Sequence, residues 1–178
     1  MKFTVPINLG PSWARIQELV LPFCQEVGID MTSGKGLGET EKQSIKALLK
    51  TSRSIAWAIL FIQGPRHTQK LHVDGFSTNR KGSRNWALNI PIKNTLDSEQ
   101  IWYDGRYTLD LKDSLGALKY LDLIWSTEKE EVHREVIAQP TIVRINSPHH
   151  VINYSDQSRF MLSVRFDPDL DGDLPIDL

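Results

Sequence analysis

A histidine and an aspartate separated by one residue, His72 and Asp74, have types and spacing that suit metal binding. Alternate side chains of a β-strand share a face, so these two would project together while Val73 points away. An imidazole and a carboxylate are two members of the two-histidine, one-carboxylate set that commonly holds non-haem Fe(II). The third ligand would have to be a histidine from elsewhere in the chain.

Four further histidines are available for that position. His67 lies in a polar, turn-like stretch, and His133 lies on a charged strand or helix face, so both are expected to be solvated. His149 and His150 are adjacent. Because neighbours in a strand face opposite sides, only one of this pair is expected to reach a shared metal site, and the pattern alone leaves both open.

The segment 159–166 alternates between two kinds of side chain. One predicted face is apolar, and the other contains Arg159, Met161, Ser163 and Arg165. An arginine on an inward face needs an anionic partner, because an unpaired buried charge is strongly destabilising. A dicarboxylic ligand would provide that partner, with Arg159 and Arg165 as the two candidates to hold it.

Short segments rich in branched and aromatic residues follow residue 53 and predict strands. These are 54–63, 70–74, 85–92, 100–103, 118–125, 131–137, 141–146 and 159–166, with His149 and His150 closing the strand that begins near Thr141. Closely spaced strands without intervening helices predict an antiparallel sandwich or barrel. Within it, Trp86 and Asn89 are expected to pack in the sheet, and Trp102 and Tyr103 to be core or pocket-wall residues.

The first third of the chain has a different pattern. Residues 2–9 predict an edge strand, 13–27 a helix capped by Ser12, and 39–51 a second amphipathic helix. The glycine-rich run 32–38 lacks the terminal Gly-Lys-Ser/Thr of a phosphate-binding loop and is expected to be a flexible connection.

Composition bounds the remaining possibilities. A chain of 178 residues suits one domain, and a formal net charge of -1 indicates neither nucleic acid nor an anionic membrane as a partner. The single cysteine, Cys24, excludes an internal disulfide and is expected to act as a small hydrophobe. Without a signal peptide or a long apolar run, the protein is expected to be soluble and cytoplasmic.

The order His72-Val73-Asp74, a histidine 77 positions later and an arginine ten positions beyond it resembles the 2-oxoglutarate/Fe(II)-dependent dioxygenases. The stretch from His149 to Arg159 is most similar to the aspartyl/asparaginyl β-hydroxylase-type branch, and the segment 84–92 resembles the strand that follows the first iron histidine there. The resemblance spans residues 55–167. Asp74 departs from that branch, whose best-known member lacks the acidic ligand, so its role follows the wider superfamily pattern.

This resemblance implies a mainly β fold, a double-stranded β-helix (jelly roll, cupin-like) with N-terminal helices packed on the outside. A single domain would span residues 1–178, with helical support at 12–51, a sheet core at 54–167 and an acidic tail at 168–178 that is solvated or loosely docked.

The resemblance also implies an activity and a set of site residues. His72, Asp74 and His149 would bind Fe(II) and be the catalytic residues. Arg159 would hold the far carboxylate of 2-oxoglutarate, with Arg165 as its alternative, and Arg84 would assist, although Arg80 or Lys81 could serve instead. The expected reaction consumes dioxygen and 2-oxoglutarate and hydroxylates an unactivated carbon of a small-molecule or peptide substrate, with release of succinate and CO2.

Two other functions are compatible with the same residues. A cupin-like isomerase or oxygenase would use His72, Asp74 and His149 on a metal without 2-oxoglutarate. A non-catalytic jelly-roll module would bind a sugar or peptide in the same mouth and hold no metal.

Overall fold

A computed structural model describes residues 2–29, 31–74, 85–111, 121–167 and 169–170. Its two helices are α1 (Pro11–Val20) and α2 (Glu39–Leu49). Its strands are β1 (Thr4–Pro6), β2 (Thr32–Gly36), β3 (Ser54–Gln63), β4 (Trp86–Lys93), β5 (Ser98–Asp104), β6 (Tyr107–Leu111), β7 (Leu121–Trp125), β8 (Glu130–Glu135), β9 (Thr141–Arg144), β10 (His149–Asn153) and β11 (Arg159–Asp167).

Two antiparallel sheets make up the body of the described fold. The larger sheet has the order β1-β9-β4-β11-β3-β2, and the smaller has the order β10-β5-β8. The segment 68–74 runs beside β10 through antiparallel bridges at Thr68–Ile152 and His72–His149. From β3 onward the chain crosses repeatedly between the two sheets, with the ribbon of β6 and β7 inserted between β5 and β8 of the small sheet, and this is the connectivity of a jelly roll. The predicted double-stranded β-helix is therefore confirmed.

The two faces of β11 have different surroundings, as its alternating sequence predicts. Phe160, Leu162, Val164 and Phe166 are almost fully buried in one cluster with residues of both helices, including Ile16 and Ile45. Burying a side chain of this size contributes about 1.5–3 kcal/mol, so this cluster fixes the helices on the outer face of the large sheet. Cys24 packs half-buried against the same cluster.

The opposite face of β11 is turned toward the small sheet. Met161 lies there in a second cluster with Ala87, Trp102, Ile137, Val143 and Ile145. Two polar residues of this face, Arg159 and Ser163, border a cavity between the sheets. The fold thus separates an apolar face that attaches the helices from a partly polar face that is available for chemistry.

The first helix differs from its predicted bounds at both ends. It begins at Pro11, with Gly10 in the cap position in place of the predicted Ser12. It ends at Val20, well before the predicted Val27, because Pro22 has no N–H to donate and its ring is incompatible with a continuing helix. A short 3-10 turn at Leu21–Phe23 follows.

Two segments for which no strand was predicted are strands. The glycine-rich run was predicted to be a flexible connection, but β2 pairs with β3 from Thr32–Gln63 to Gly36–Ile59. Backbone hydrogen bonds to β3 hold this segment in an extended conformation, because its exposed side chains bury little apolar surface. Likewise, β6 lies between the predicted strands 100–103 and 118–125, where no strand was predicted, and it pairs with β7 as a two-stranded ribbon.

A third difference concerns the strand predicted at 141–146 and closed by the two histidines. The chain forms two strands here, because β9 belongs to the large sheet and β10 to the small one. The intervening residues include Pro148, which cannot donate to a sheet ladder. The histidines therefore open a new strand in the sheet that also holds the segment 68–74.

The end of the described chain is docked on the large sheet. Leu170 is buried in the outer cluster, and the Asp169 carboxylate accepts a hydrogen bond from the backbone of Asn85 at 2.6 Å. The rest of the predicted acidic tail, 171–178 with Pro168, lies outside the described residues. Among the described helices, none combines the length and apolar character needed to cross a membrane.

Candidate metal centre

Backbone pairing in the small sheet sets His72 opposite His149. Their peptide groups exchange two hydrogen bonds, of 3.0 and 2.9 Å, and the two ring centroids lie 4.6 Å apart. The side chain of Gln63 also holds the backbone before His72 next to β10, because its Nε2 donates to His67 O at 2.8 Å and to Val151 O at 2.9 Å. Directly opposed residues of an antiparallel pair share a face, so both imidazoles point into the fold.

Each imidazole is oriented by a backbone carbonyl. His72 Nδ1 lies 2.8 Å from Lys70 O, and His149 Nδ1 lies 2.9 Å from Ser147 O. A carbonyl oxygen only accepts, so in each ring Nδ1 carries the proton. In the neutral ring Nε2 then holds the lone pair, which is the arrangement that metal-binding histidines use.

The charge state of His149 suits metal binding as well. Burial, assisted by His72 and opposed by the Asp74 carboxylate, lowers the pKa of His149 to about 4. The ring is therefore neutral at neutral pH, which is the form that ligates a metal.

Asp74 is the third residue beside the two histidines, and it lies at the end of the segment 68–74, two positions after His72. Its backbone N–H donates to Ile145 O at 3.0 Å, and its Oδ1 lies 3.5 Å from His72 Nε2. Its Oδ2 accepts a hydrogen bond from Arg165 Nη2 at 2.7 Å. Burial alone raises the pKa of this carboxyl, but Arg165 and the two histidines outweigh burial and lower it, so Asp74 is ionised.

His72, Asp74 and His149 are the one group of three or more His, Cys, Asp or Glu side chains in the described residues whose ligand atoms cluster as a metal would need. These atoms all lie within 4.8 Å of one another. Two imidazoles and one carboxylate match the donor set of non-haem Fe(II) sites. The residues present thus fit the metal that the sequence resemblance implies.

The other histidines are placed elsewhere. His150 lies across from Tyr103, whose hydroxyl is 3.3 Å from His150 Nε2. His133 stacks on Phe3 with ring centroids 5.4 Å apart and lies 3.2 Å from Glu135, so it is half-buried and packed where the sequence predicts solvation. His67 is also half-buried.

Arg159 occupies the start of β11, on the same inward face. It is 4 % exposed, and its Nε donates to Ser98 Oγ at 2.9 Å. Ser98 Oγ in turn donates to Thr95 O at 2.7 Å, which fixes the acceptor in place. No carboxylate of the described residues forms an ion pair with Arg159. Burial without an anion lowers the pKa of Arg159 to about 10, so the buried guanidinium is still charged at neutral pH.

Arg165, the second arginine of this face, is already paired. Its guanidinium binds Asp74 and lies over the Trp57 ring, 5.8 Å from the centroid. It lies six positions after Arg159 in an extended strand, which is about 20 Å along the backbone. The two arginines therefore serve opposite ends of the inward face.

One cavity joins the metal group to Arg159. Its apolar walls come from Phe61, Ile145, Val151 and Met161, and its polar walls from Gln69, Asn89, Gln100 and Ser163. Trp102 is fully buried with its ring centroid 6.3 Å from that of His149, and Trp86 packs in the outer cluster.

One residue of this region departs from the sequence analysis, and the predicted Arg84 is not tested. Asn89, expected only to pack in the sheet, faces the cavity; the signal is its place among the inward residues of β4, between Ala87 and Pro91, while Leu88 and Ile90 face the helices. Arg84, with Arg80 and Lys81, lies outside the described residues.

Comparisons with known proteins give limited similarity. No protein-family model and no curated protein matches the sequence. Among solved structures, a Pseudomonas putida prolyl-4-hydroxylase is similar at 9 % identity over 92 % of this chain and 91 % of that one, with a TM-score of 0.46. The E. coli ycfD structure is similar at 12 % identity over 92 % of this chain and 50 % of that one, with a TM-score of 0.38. At TM-scores below 0.5, neither similarity identifies a family.

Proposed function

We propose that this protein is an Fe(II)- and 2-oxoglutarate-dependent oxygenase. The observation that carries the proposal is the buried, charged Arg159, which has no anion beside it among the described residues and lines the same cavity as the His72, Asp74 and His149 group. A metal group alone would suit many ligands. A metal group together with a distant buried cation favours a ligand that chelates metal at one end and carries a carboxylate at the other.

His72 Nε2, His149 Nε2 and Asp74 Oδ1 would hold Fe(II), because these are the atoms that the surrounding hydrogen bonds leave directed at one another. When bound with 2-oxoglutarate and dioxygen, Fe(II) would supply the oxidising chemistry that hydroxylates an unactivated carbon and yields succinate and CO2. Arg165 would keep Asp74 ionised and its Oδ1 turned inward.

Arg159 would bind the far carboxylate of 2-oxoglutarate. Ser98 occupies its Nε, which leaves the two terminal nitrogens as donors for a carboxylate. The planar guanidinium presents paired N–H groups that a lysine ammonium cannot reproduce in the same geometry. Ligand binding would also supply the anion that the buried charge lacks.

The apolar walls of the cavity would exclude water from the reacting centre. Ile145, Val151 and Met161 line the space between the metal group and Arg159. In a site of low dielectric constant, hydrogen bonds and charge pairs with the ligand are stronger than in water. The substrate class, including the peptide aspartate or asparagine of the resembling branch, stays a prediction.

The metal and co-substrate part of the proposal is tested by anaerobic addition of Fe(II) and 2-oxoglutarate. We expect a weak visible charge-transfer band with the wild-type protein and its loss in His72→Ala, Asp74→Ala and His149→Ala. His150→Ala is the matched control, since its ring lies beside Tyr103 and outside the metal group, and it should retain the band. A folded wild-type protein that gives no band would contradict the proposal.

A further inference from the structure

Asn89 lies on the cavity wall between the metal group and Arg159. Its register partner on β11 is Ser163, which stands two residues from Arg165 and four residues from Arg159. Because Arg165 holds Asp74, this register places Asn89 nearer to the metal end of the cavity than to the Arg159 end.

The side chain of Asn89 is buried and incompletely satisfied. The residue is 8 % exposed, and its Oδ1 has no hydrogen-bond partner among the described residues. In the same part of the chain, Arg165 Nε is the one other buried side-chain polar atom in this condition. A buried polar atom without a partner is destabilising and uncommon in folded proteins, so a missing partner is the natural explanation.

The surroundings of Asn89 do not call for a polar residue. Along β4, Leu88 and Ile90 pack into the outer cluster, and Ala87 packs into the cluster between the sheets. An apolar side chain of similar size would fill the position of Asn89 without an unsatisfied oxygen. Packing therefore does not explain the carboxamide of Asn89, whereas a hydrogen bond to a ligand in the cavity does.

We propose that the carboxamide of Asn89 is a further ligand-binding group, which hydrogen-bonds the metal-side carboxylate of the bound 2-oxo acid. This inference rests on the proposed function. A carboxylate cannot donate to the amide oxygen, but a half-turn about the Cβ–Cγ bond exchanges the oxygen and the nitrogen, so that the NH2 group occupies the unpaired position and donates to the carboxylate. Arg159 then recognises the far carboxylate of 2-oxoglutarate, whereas Asn89 recognises the carboxylate that all 2-oxo acids share.

Calorimetric titration of the Mn(II)-loaded protein with two ligands distinguishes the role of Asn89 from that of Arg159. 2-Oxoglutarate has both carboxylates, and 2-oxobutyrate lacks the far one. We expect Asn89→Leu to weaken the binding of both ligands by about 10–100-fold, the size of one buried hydrogen bond to a charged group. Arg159→Met should weaken 2-oxoglutarate and leave 2-oxobutyrate unchanged. Asn89→Asp, which keeps the size but adds a negative charge, should weaken both ligands more than leucine does.

Thermal unfolding of the metal-free protein distinguishes ligand binding from a structural role. Because leucine removes the unsatisfied oxygen, we expect Asn89→Leu to unfold at a higher temperature than the wild type, by roughly 2–4 °C. A lower unfolding temperature would make Asn89 a structural residue and overturn the inference.

Three outcomes of the calorimetric titrations would also overturn the inference about Asn89. Wild-type affinity in both Asn89 variants would show that Asn89 does not contact the ligand. Loss of 2-oxoglutarate binding with unchanged 2-oxobutyrate binding would place the contact at the far carboxylate. Failure of the wild-type protein to bind either acid would instead refute the proposed function, and this inference with it.

Discussion

Two arginines of one strand face have different partners, and this difference organises the candidate site. Arg159 has a serine hydroxyl beside it and no anion among the described residues, whereas Arg165 is bound to Asp74. Their spacing in the sequence makes both candidates for a co-substrate carboxylate. The Asp74 contact favours Arg159 for that role, because Arg165 Nη2 already donates to a carboxylate of the protein.

Replacement of Arg165 by methionine should weaken metal binding. It removes the donor to Asp74 Oδ2 and leaves the buried carboxylate without its cation, so both the orientation and the ionisation of the ligand suffer. Loss of a partner that orients a metal ligand typically lowers metal affinity by about 10–100-fold. Titration with Mn(II) alone measures this effect, and Arg159→Met serves as the control because it lies at the other end of the cavity.

The opposite pattern would reassign the two arginines. If Arg165→Met bound Mn(II) as tightly as the wild type but lost 2-oxoglutarate, Arg165 would be the co-substrate arginine.

Some residues of this site could be predicted from the sequence, and others could not. The spacing of His72 and Asp74 predicts a shared face, and the resemblance selects His149 as their third member. For Asn89 the sequence predicts only sheet packing, since nothing in it tells whether a buried amide finds a hydrogen-bond partner. That property depends on atoms from three strands, β4, β9 and β11, which only the folded register brings together.

At the scale of elements, the segment that carries His72 begins at a close contact between two backbones. Gly64 follows β3, and its N–H donates to Met31 O at 2.8 Å. A Cβ at this position would lie 2.2 Å from Gly28 O. Only glycine allows the chain around Gly28 to pass this closely over the end of β3.

Gly64→Ala should therefore destabilise the protein. The backbone must shift to relieve the contact, and overpacking of this kind typically lowers the free energy of unfolding by about 1–3 kcal/mol. Gly36→Ala is the matched control, because a Cβ on Gly36 meets nothing within 4 Å, and its effect should stay within about 0.5 kcal/mol. Urea unfolding of both variants measures the difference, and equal stability of the two would contradict the contact.

Elements with alternating or continuous apolar residues were predictable, and those defined by pairing were not. The predicted strand 54–63 matches β3 at both ends, because ten residues rich in branched and aromatic side chains specify it locally. In contrast, β2 is a row of exposed and mostly small residues that forms a strand only beside β3. The predicted strand at 118–125 is described only from Leu121, since 112–120 lie outside the described residues.

At the scale of the whole molecule, the two faces of the large sheet have separate tasks. The outer face carries the helices on a continuous apolar cluster, and the inner face borders the cavity with the metal group and Arg159. The jelly-roll connectivity brings residues 72, 149 and 159 to one cavity although they are far apart in sequence. The alternation in β11 made this division predictable, while the crossing of the chain between β9 and β10 was not.

The most direct test of the proposed function is a crystal structure of the protein with Mn(II) and 2-oxoglutarate, with the metal located by its anomalous scattering. We expect one manganese ion bonded to His72 Nε2, Asp74 Oδ1 and His149 Nε2, chelated by the 2-oxo acid, with the far carboxylate on the Arg159 guanidinium. A metal bound away from these three side chains, or a 2-oxoglutarate whose far carboxylate does not contact Arg159, would contradict the account.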